Sequence, residues 1–246
     1  MRLREKIRNT FLEKSGQKAV LEKLNFQNKI AIESLAATTF INAIQTAKWL
    51  KYKSFYPGKW AVEYTFLLVL FRILEHHNFS NILEFGLGQT SRMIHQYADY
   101  YKTSAVTIEH DEDWVDFTRR DTHNAYPINV KMFPLEMIDY KGFNVRTYQG
   151  IDVFFKNQKF DLILVDGPFG SEHYSRSQII HLAKHNLTKT FCIIIDDCNR
   201  IGEQETVAEI ELILKKNSIE YAINKYQGLH DFVVICSKDL RFFASL

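Results

Sequence analysis

Apolar positions recur in two different patterns along the chain, and the change of pattern divides it in two. Up to about residue 56 they recur at helical spacing among charged residues, as at Val20, Leu21 and Leu24, which predicts helices. Tyr56-Pro57-Gly58 then ends this pattern, because proline and glycine favour turns. We therefore interpret residues 1-58 as an N-terminal helical extension that serves as a lid or makes substrate or oligomer contacts. Residues 59-246 form the main domain in this interpretation.

Beyond the turn, short apolar runs alternate with longer segments of helical periodicity. The runs predict strands at 81–85, 105–109, 128–133, 160–165 and 190–195. The longer segments predict helices at 60–77, 90–101, 113–120, 146–156, 174–184 and 203–216. Such alternation is typical of βαβ units, which form a parallel sheet covered by helices on both faces.

The end of the chain departs from this alternation. Two strand-like runs, 219–225 and 231–237, are joined by the short loop 226–230, which favours an antiparallel pair. We therefore predict an α/β fold: a Rossmann-like, mainly parallel seven-stranded sheet with a C-terminal antiparallel hairpin, plus the N-terminal helical extension.

Charge and composition narrow the classes of partner. The chain has 31 Lys and Arg and 29 Asp and Glu, which gives a net charge of +2. Because this charge is small, it disfavours nucleic acid as a partner. Three cysteines are too few for a disulfide framework, and no secretory signal is visible, which predicts a cytoplasmic protein. The apolar run 65–74 is too short to span a bilayer. Arg2, Arg4, Lys6 and Arg8 are placed to touch an anionic membrane, although a solvated helix face is the commoner meaning of such charges.

The segment ILEFGLGQTS, residues 82–91, joins an apolar strand to a helix through a glycine turn. Gly86 and Gly88 allow the backbone to approach a ligand, and the helix that follows offers free N–H groups. In a dinucleotide-binding loop, the fingerprint would move towards a third glycine where Thr90 occurs here. The segment therefore matches a dinucleotide-binding loop less well. Glu84 would be a buried acid in need of a cationic or hydrogen-bonding partner, such as the amino group of an amino-acid moiety.

A second acid follows at the end of the next strand. Glu109 lies about twenty residues beyond the glycine turn, where an acid can accept the hydroxyls of a ribose. The alternative is a solvated charge at the end of a strand. Trp114, on the helix that follows, is a candidate to lie against an adenine or to pack in the core.

The E-x-G-x-G pattern, the acid ending the second strand and a fourth strand ending in Asp166 resemble the class I S-adenosylmethionine-dependent methyltransferases from Pro57 onward. The resemblance implies that S-adenosylmethionine is the methyl donor. The donor-binding residues that it implies are Glu84, Gly86, Gly88, Thr90, Ser91, Glu109, His110, Trp114 and Asp166.

Three acids are predicted to meet at the carboxyl edge of the sheet: Asp166, Asp196 and Asp197. Carboxylates this close repel one another, and a hard divalent cation relieves the repulsion. The layout is similar to that of the catechol-type, metal-dependent O-methyltransferases, with an Asp in place of the Asn of their Asp-Asn pair, so it implies a Mg²⁺ site. Against it, that family has a lysine shortly after the first Asp, whereas Gly-Pro-Phe-Gly follows here. The alternative is that one acid caps a helix and another bonds Arg200 or Arg176.

Methyl transfer from a sulfonium is an in-line displacement, so the enzyme aligns a nucleophile and handles its proton. Asp166, His173 in the loop after it, and His230 in the turn of the terminal hairpin are the candidate catalytic residues, in that order. The alternative for either histidine is an exposed loop side chain.

Two groups of aromatic residues are candidates to surround the substrates. The stretch 133–148 is long for a simple connection and is expected to line the acceptor pocket. Tyr56, Trp60 and Tyr64 are expected either to form a lid or to pack in the core.

The leading hypothesis is O-methylation of a small polar acceptor, such as a sugar or a saccharide-linked intermediate, by an enzyme that can form a homo-oligomer. A nucleic-acid or protein N-methyltransferase is the first alternative, because Asp166-Gly167-Pro168-Phe169 is similar to the D-P-P-Y motif, with glycine at its second position. A nicotinamide-dependent oxidoreductase is less favoured, because Gln178 replaces the lysine of a Tyr-x-x-x-Lys dyad. A non-catalytic nucleoside-binding scaffold would be expected to lose the strand-end acids, all of which are present.

Overall fold

The fold is described from a computed structural model, which covers residues 17–58, 61–122 and 125–246. The helices are α1 (Gln17–Ala43), α2 (Tyr64–His76), α3 (Gln89–Tyr101), α4 (Glu112–Asp121), α5 (Ile151–Phe154), α6 (Gln178–His185) and α7 (Ile201–Lys216). Short 3₁₀ helices lie at Ile44–Thr46 and Lys238–Ser245. The strands are β1 (Asn81–Phe85), β2 (Ser104–Glu109), β3 (Val130–Met132), β4 (Leu135–Tyr140), β5 (Phe143–Tyr148), β6 (Phe160–Val165), β7 (Leu187–Ile195), β8 (Tyr221–Gln227) and β9 (Asp231–Ser237).

Seven of these strands form one sheet in the order β3-β2-β1-β6-β7-β9-β8. The five strands from β3 to β7 in this order pair in parallel, and β9 runs antiparallel to both β7 and β8. The predicted parallel sheet with a C-terminal antiparallel hairpin is therefore confirmed.

The sheet is buried on both faces because its central strands β1, β6 and β7 are apolar at most of their positions. Leu162 and Leu164 of β6 pack with α2 and α3 on one face, whereas Ile163 and Val165 pack with α6 and α7 on the other. This alternation follows from the pleat of a strand, which directs successive side chains to opposite faces. Helices are therefore needed on both sides, and the βαβ connections supply them.

The N-terminal extension packs against the sheet domain through the end of α1 and the segment after it. Phe40 is fully buried, and its ring contacts Phe55 and Phe71 with centroids 5.2 and 6.2 Å away. Trp49 stacks on Phe71 at 5.8 Å. The extension thus shares a hydrophobic cluster with α2 and the sheet, and the boundary between residues 58 and 59 stays a prediction.

Some expectations fall on residues outside the described ranges. Trp60, predicted for the lid, and the basic residues Arg2, Arg4, Lys6 and Arg8, predicted to touch a membrane, all lie there. Within the described ranges, no helix combines the length and the apolar character needed to cross a membrane.

The predicted helix over 146–156 is wrong. The chain instead forms an antiparallel hairpin of β4 and β5, followed by the single-turn helix α5. Val145 and Thr147 are buried and Arg146 between them is only partly buried, which is the period of a strand. Gly150 adopts a left-handed φ of 71°, which separates β5 from α5 and prevents one continuous helix.

Two predicted helices begin four residues later than expected. Helix α2 begins at Tyr64, where the N–H groups of Tyr64 and Thr65 donate to the Glu33 carboxylate of α1 at 2.5 and 3.1 Å. This cap comes from a distant residue, so local sequence does not reveal it. Helix α6 begins at Gln178, because Tyr174 and Arg176 adopt left-handed φ values of 43° and 59° that no helix contains.

Candidate functional site

Three strand ends meet at one edge of the sheet. The N–H of Gly86 donates to a β2 carbonyl at 2.9 Å, that of Asp166 to a β1 carbonyl at 2.9 Å, and that of Asp196 to a β6 carbonyl at 3.0 Å. These bonds continue the parallel ladders beyond β1, β6 and β7, so the three residues are fixed side by side. The carboxyl edge of a parallel sheet is where open α/β folds bind ligands.

A cavity of about 440 Å³ opens at this edge, a volume typical of small-molecule sites. The predicted site residues that line it are Gly86, Glu109, His110, Trp114, Asp166, Asp196, Asp197 and His230. Those that do not line it are Glu84, Gly88, Thr90, Ser91 and His173.

The two glycines of the turn have different roles. Gly86 has a φ of +91°, and a Cβ there would lie 3.1 Å from the main-chain carbon of Asp166, so the fold itself requires this glycine. A Cβ on Gly88 would meet nothing within 4 Å. Gly88 therefore borders open space just before helix α3, where a ligand can approach the backbone.

Glu84 lies beneath the turn rather than in the cavity. Its carboxylate accepts hydrogen bonds from the hydroxyls of Thr90 (2.5 Å), Ser91 (2.6 Å) and Thr107 (2.6 Å). These hydroxyls are the hydrogen-bonding partner that a buried acid needs, so no ligand amino group is required there. Glu84, Thr90 and Ser91 thus brace the turn from inside, and their expected part in donor binding, directly or through the local backbone, stays a prediction.

The burial of Glu84 should make stability depend on pH. Burial raises the pKa of Glu84 from 4.5 to about 7, while the three hydroxyl donors oppose the rise. Because the pKa of Glu84 is higher in the folded than in the unfolded state, protonation of Glu84 stabilises the fold. This stabilisation is complete below pH 4.5 and is lost as pH rises through about 7. Its full size is about 3 kcal/mol. Urea unfolding of wild type and Glu84→Gln at about pH 5 and 8 should show a loss with rising pH that the variant lacks. Parallel pH profiles would contradict the assignment.

Glu109 ties the glycine turn to β2. Its Oε2 accepts the N–H of Leu87 at 3.0 Å, and its Oε1 accepts the N–H groups of His110 and Asp111 at 2.6 and 3.0 Å. The side chain is buried yet lines the cavity, so it is not a solvated strand-end charge. A carboxylate has about four lone-pair positions, so acceptor capacity remains for hydroxyls of a ligand.

Aromatic rings flank Glu109 along the cavity. The indole N–H of Trp114 donates to the Leu87 carbonyl at 2.6 Å, and its ring stacks on Phe117 at 5.3 Å. Trp114 is 37% exposed and therefore is not a core tryptophan. The His110 ring meets Phe169 edge-on at 5.3 Å. Flat surfaces of this kind suit a nucleobase.

The predicted gathering of acids is confirmed. Oxygens of Asp166, Asp196 and Asp197 lie within 4.8 Å of one another. The guanidinium of Arg176 enters this cluster from the loop before α6. Its Nη2 donates to Asp197 at 2.7 Å and to Asp166 at 3.4 Å, and its Nη1 donates to the main-chain carbonyls of Val165 and Asp196, both at 3.0 Å. The alternative of an arginine partner is thus realised for Asp197.

Two further charged residues complete the cluster. Arg200 lies 2.9 Å from the Asp197 oxygen that Arg176 also contacts, and fully buried Glu203 lies 3.9 Å from both arginines. Asp196 Oδ1 is buried without a hydrogen-bond partner among the described residues. The carboxylates of Asp166, Asp197 and Glu203 thus contact the two guanidinium groups, and that of Asp196 lies beside them. The all-oxygen donor set fits a hard divalent cation, which would share Asp197 with the arginines.

Asp166 is the acid whose protonation is most strongly perturbed in this group. Burial raises its pKa well above the usual range, repulsion from Asp196 raises it further, and Arg176 opposes the rise. Burial likewise raises the pKa of Asp196. Perturbed carboxyl groups in a cleft are typical of functional sites.

His173 does not reach the cavity, which corrects its placement as the first-choice histidine. Its Nδ1 lies 3.0 Å from both Glu205 oxygens of α7, and its ring lies 4.0 Å from that of Phe143 in β5. Because Tyr174 and Arg176 turn the loop inward, His173 is left between β5 and α7. His230 does line the cavity, where its main-chain N–H donates to Glu63 at 2.9 Å.

Sequence reasoning missed the contact of Glu63 with His230, and it anticipated Tyr148 only as part of a longer stretch. Glu63 contacts His230 across 167 positions, a separation that no local pattern reveals. Tyr148 lines the cavity and stacks on Phe85 at 5.6 Å. Among the described residues of the stretch 133–148, Tyr148 alone lines this cavity. The stretch that was expected to line the acceptor pocket therefore contributes one residue here.

Comparisons with known proteins concern the fold. No protein-family model matches the sequence, and no curated protein matches it. Solved structures do match. A Staphylococcus aureus protein designated a caffeoyl-CoA O-methyltransferase is 13% identical, with 86% of this chain and 99% of that chain covered and a TM-score of 0.51.

Two further matches have lower TM-scores. A Podospora anserina methyltransferase solved with S-adenosylhomocysteine is 11% identical, covers 83% of this chain and 88% of its own, and has a TM-score of 0.48. A Pyrococcus furiosus methyltransferase is 15% identical, with 83% and 97% covered and a TM-score of 0.45. At such identities the likeness extends to the fold alone. The chain has the Rossmann-like fold of class I S-adenosylmethionine-dependent methyltransferases.

Proposed function

We propose that this protein is an S-adenosylmethionine-dependent methyltransferase that methylates an oxygen of a small polar acceptor, such as a sugar or a saccharide-linked intermediate. One observation carries the proposal: the glycine turn, the buried acid Glu109 and the strand-end acid Asp166 surround a single cavity. The methyltransferase fold supports the same donor.

Each cavity residue has a role in this proposal. Glu109 accepts hydrogen bonds from the ribose hydroxyls, and Trp114 and His110 flank the adenine. Gly88 itself does not line the cavity, but the open space beside it leaves room for the donor at the start of α3. Asp166 faces the reacting end of the cavity, where its raised pKa suits it to hold a proton.

The acid cluster is the proposed place for Mg²⁺ assistance. Asp166, Asp196 and Asp197 would hold the ion through carboxylate oxygens, the ligands that Mg²⁺ prefers. Bound there, the ion would lower the pKa of an acceptor hydroxyl. Turnover with Mg²⁺ and with a chelator distinguishes this arrangement from one in which Arg176 alone balances the acids.

A second candidate is N-methylation of a nucleic acid or a protein. The ring of Phe169 lines the cavity and is 60% exposed, so a planar acceptor can stack on it. Turnover of methyl-labelled S-adenosylmethionine should be measured with sugars, phenols, nucleosides and peptide amines in parallel. Transfer to hydroxylated small molecules supports the first candidate, whereas transfer to nucleosides or amines alone would replace it with the second.

A pair of glycine substitutions tests where the donor lies. Gly88→Ala should fold normally, because its Cβ meets nothing within 4 Å, yet it should bind S-adenosylhomocysteine at least about tenfold more weakly. Gly86→Ala, with φ +91° and a Cβ 3.1 Å from backbone, should instead lower the melting temperature. Calorimetry and thermal unfolding measure the two effects. Unchanged affinity in Gly88→Ala would place the donor elsewhere.

The remaining partner expectations stay predictions. They are homo-oligomer formation and contact of the N-terminal segment with an anionic membrane.

A further inference from the structure

Two segments that are distant in sequence meet at the cavity: the residue before α2 and the turn between β8 and β9. The main-chain N–H of His230 donates to Glu63 Oε1 at 2.9 Å, and the His230 ring places Nδ1 2.6 Å from the same oxygen. The Glu63 side chain is 8% exposed, whereas that of His230 is 48% exposed and lines the cavity. An enclosed carboxylate thus adjoins one ring nitrogen of a histidine that has access to ligand.

Glu63 is a carboxylate in need of a partner. Its Oε2 is buried without a hydrogen bond, and burial together with the charge of Asp196 raises its pKa. Among the described contacts, His230 is the group that can offer it positive charge. A carboxylate on one nitrogen of an imidazole fixes the proton there and leaves the other nitrogen free to accept one.

Helix α1 holds both segments of this pair in place. Lys29 donates to the carbonyl of Leu229 at 3.2 Å and to Asp231 at 3.3 Å, so it contacts the residues on either side of His230. One helical turn later, Glu33 caps the start of α2, directly after Glu63. The N-terminal extension therefore has a positional role at the cavity that its distance in sequence conceals.

We propose that His230 is the general base for the acceptor hydroxyl and that Glu63 is the residue that positions it. The inference rests on the proposed methyltransferase function and names the residues that carry its proton transfer. Glu63 keeps the proton of His230 on Nδ1, so that Nε2 accepts the proton of the acceptor O–H. The oxygen lone pair forms the new C–O bond, and the imidazolium, balanced by Glu63, later releases its proton to water.

S-Adenosylmethionine supplies the methyl group when bound, and its sulfur keeps the electron pair of the broken C–S bond, which yields neutral S-adenosylhomocysteine. Atoms and charge therefore balance with no further reactant. Asp166 and Asp196 line the same cavity as His230, so the base and these acids face one bound acceptor.

A double-mutant cycle with the full chain tests the pair. His230→Ala should lower kcat about 100-fold or more, and Glu63→Gln about 10-fold or more, with donor affinity unchanged by calorimetry. In the His230→Ala background, Glu63→Gln should have no further effect, because a positioning residue acts only through the base it positions. Additive losses in kcat would overturn the assignment of Glu63, and full activity of His230→Ala would overturn that of His230.

A second readout needs no turnover. In ¹⁵N-histidine NMR spectra of the protein without donor, His230 should carry its proton on Nδ1 in wild type and shift towards the other tautomer in Glu63→Gln. An unchanged tautomer would contradict the positioning role even if Glu63→Gln were less active for another reason.

The chain offers a matched control, since His173 and Glu205 form a similar pair outside the cavity. His173→Ala and Glu205→Gln should leave kcat unchanged, which separates the loss of a general base from the loss of any histidine–glutamate contact. The two hypotheses also fail differently. A wild type that neither binds nor consumes S-adenosylmethionine refutes the proposed function, whereas an active wild type with an equally active His230→Ala refutes only the base.

Discussion

Replacing Glu109 with alanine is expected to weaken the binding of S-adenosylmethionine and S-adenosylhomocysteine about 30- to 150-fold. Hydrogen bonds to a charged carboxylate contribute about 2–3 kcal/mol, and the ribose hydroxyls would lose theirs. The Leu87 N–H also loses its acceptor, so the glycine turn becomes less fixed. Titration calorimetry with S-adenosylhomocysteine measures the change directly.

Two variants keep this result interpretable. Glu112→Ala removes an exposed acid three residues along the chain, at the start of α4, and should leave affinity unchanged. Glu109→Gln keeps the shape of the side chain but removes its charge, so it should weaken binding less than Glu109→Ala. It replaces Glu109→Ala as the test if the alanine variant folds poorly. Normal donor affinity in a folded Glu109→Ala would show that the ribose is held elsewhere.

Replacing Arg176 with methionine is expected to lower the free energy of unfolding by about 3–5 kcal/mol. Removing one member of a buried ion cluster leaves the opposite charges uncompensated in a low-dielectric environment. The Arg176 side chain is 3% exposed, and its loss also frees the carbonyls of Val165 and Asp196. Chemical denaturation at neutral pH measures the loss.

Arg200 provides the matched control for this prediction. Its guanidinium contacts the same Asp197 oxygen at 2.9 Å, but its side chain is 49% exposed. Arg200→Met should therefore cost no more than about 1 kcal/mol. The Arg176→Met loss should also shrink as pH falls, because Asp166 and Asp196, whose pKa values burial raises, then take up protons. Equal losses in both variants would mean that the cluster tolerates its charges without Arg176.

The strands around the site, and the acids at the ends of those strands, were predictable because hydrophobic periodicity marks where each strand begins and ends. The apolar runs at β1, β6 and β9 alternate between the two faces of the sheet, and their bounds agree with the structure. Since strands in parallel end at the same edge, the gathering of Glu109, Asp166 and Asp196 at one cavity followed from sequence alone.

The contacts between those elements were not predictable in the same way. Glu33 caps a helix 31 residues away, and Glu63 reaches His230 from another part of the chain, so neither leaves a local signal. Arg176 enters the acid cluster through a left-handed turn that helical periodicity had suggested was part of a helix. Tertiary partners of this kind overrode local propensity, and they decide which predicted residues face the cavity.

Parallel calorimetric titrations of the wild-type protein with S-adenosylhomocysteine, S-adenosylmethionine and NAD, each with and without Mg²⁺, test the central claim most directly. Binding of both sulfur nucleosides at micromolar or lower Kd, with no binding of NAD, is the predicted result. Binding of NAD without binding of either sulfur nucleoside would contradict the account and identify the cavity as a dinucleotide site.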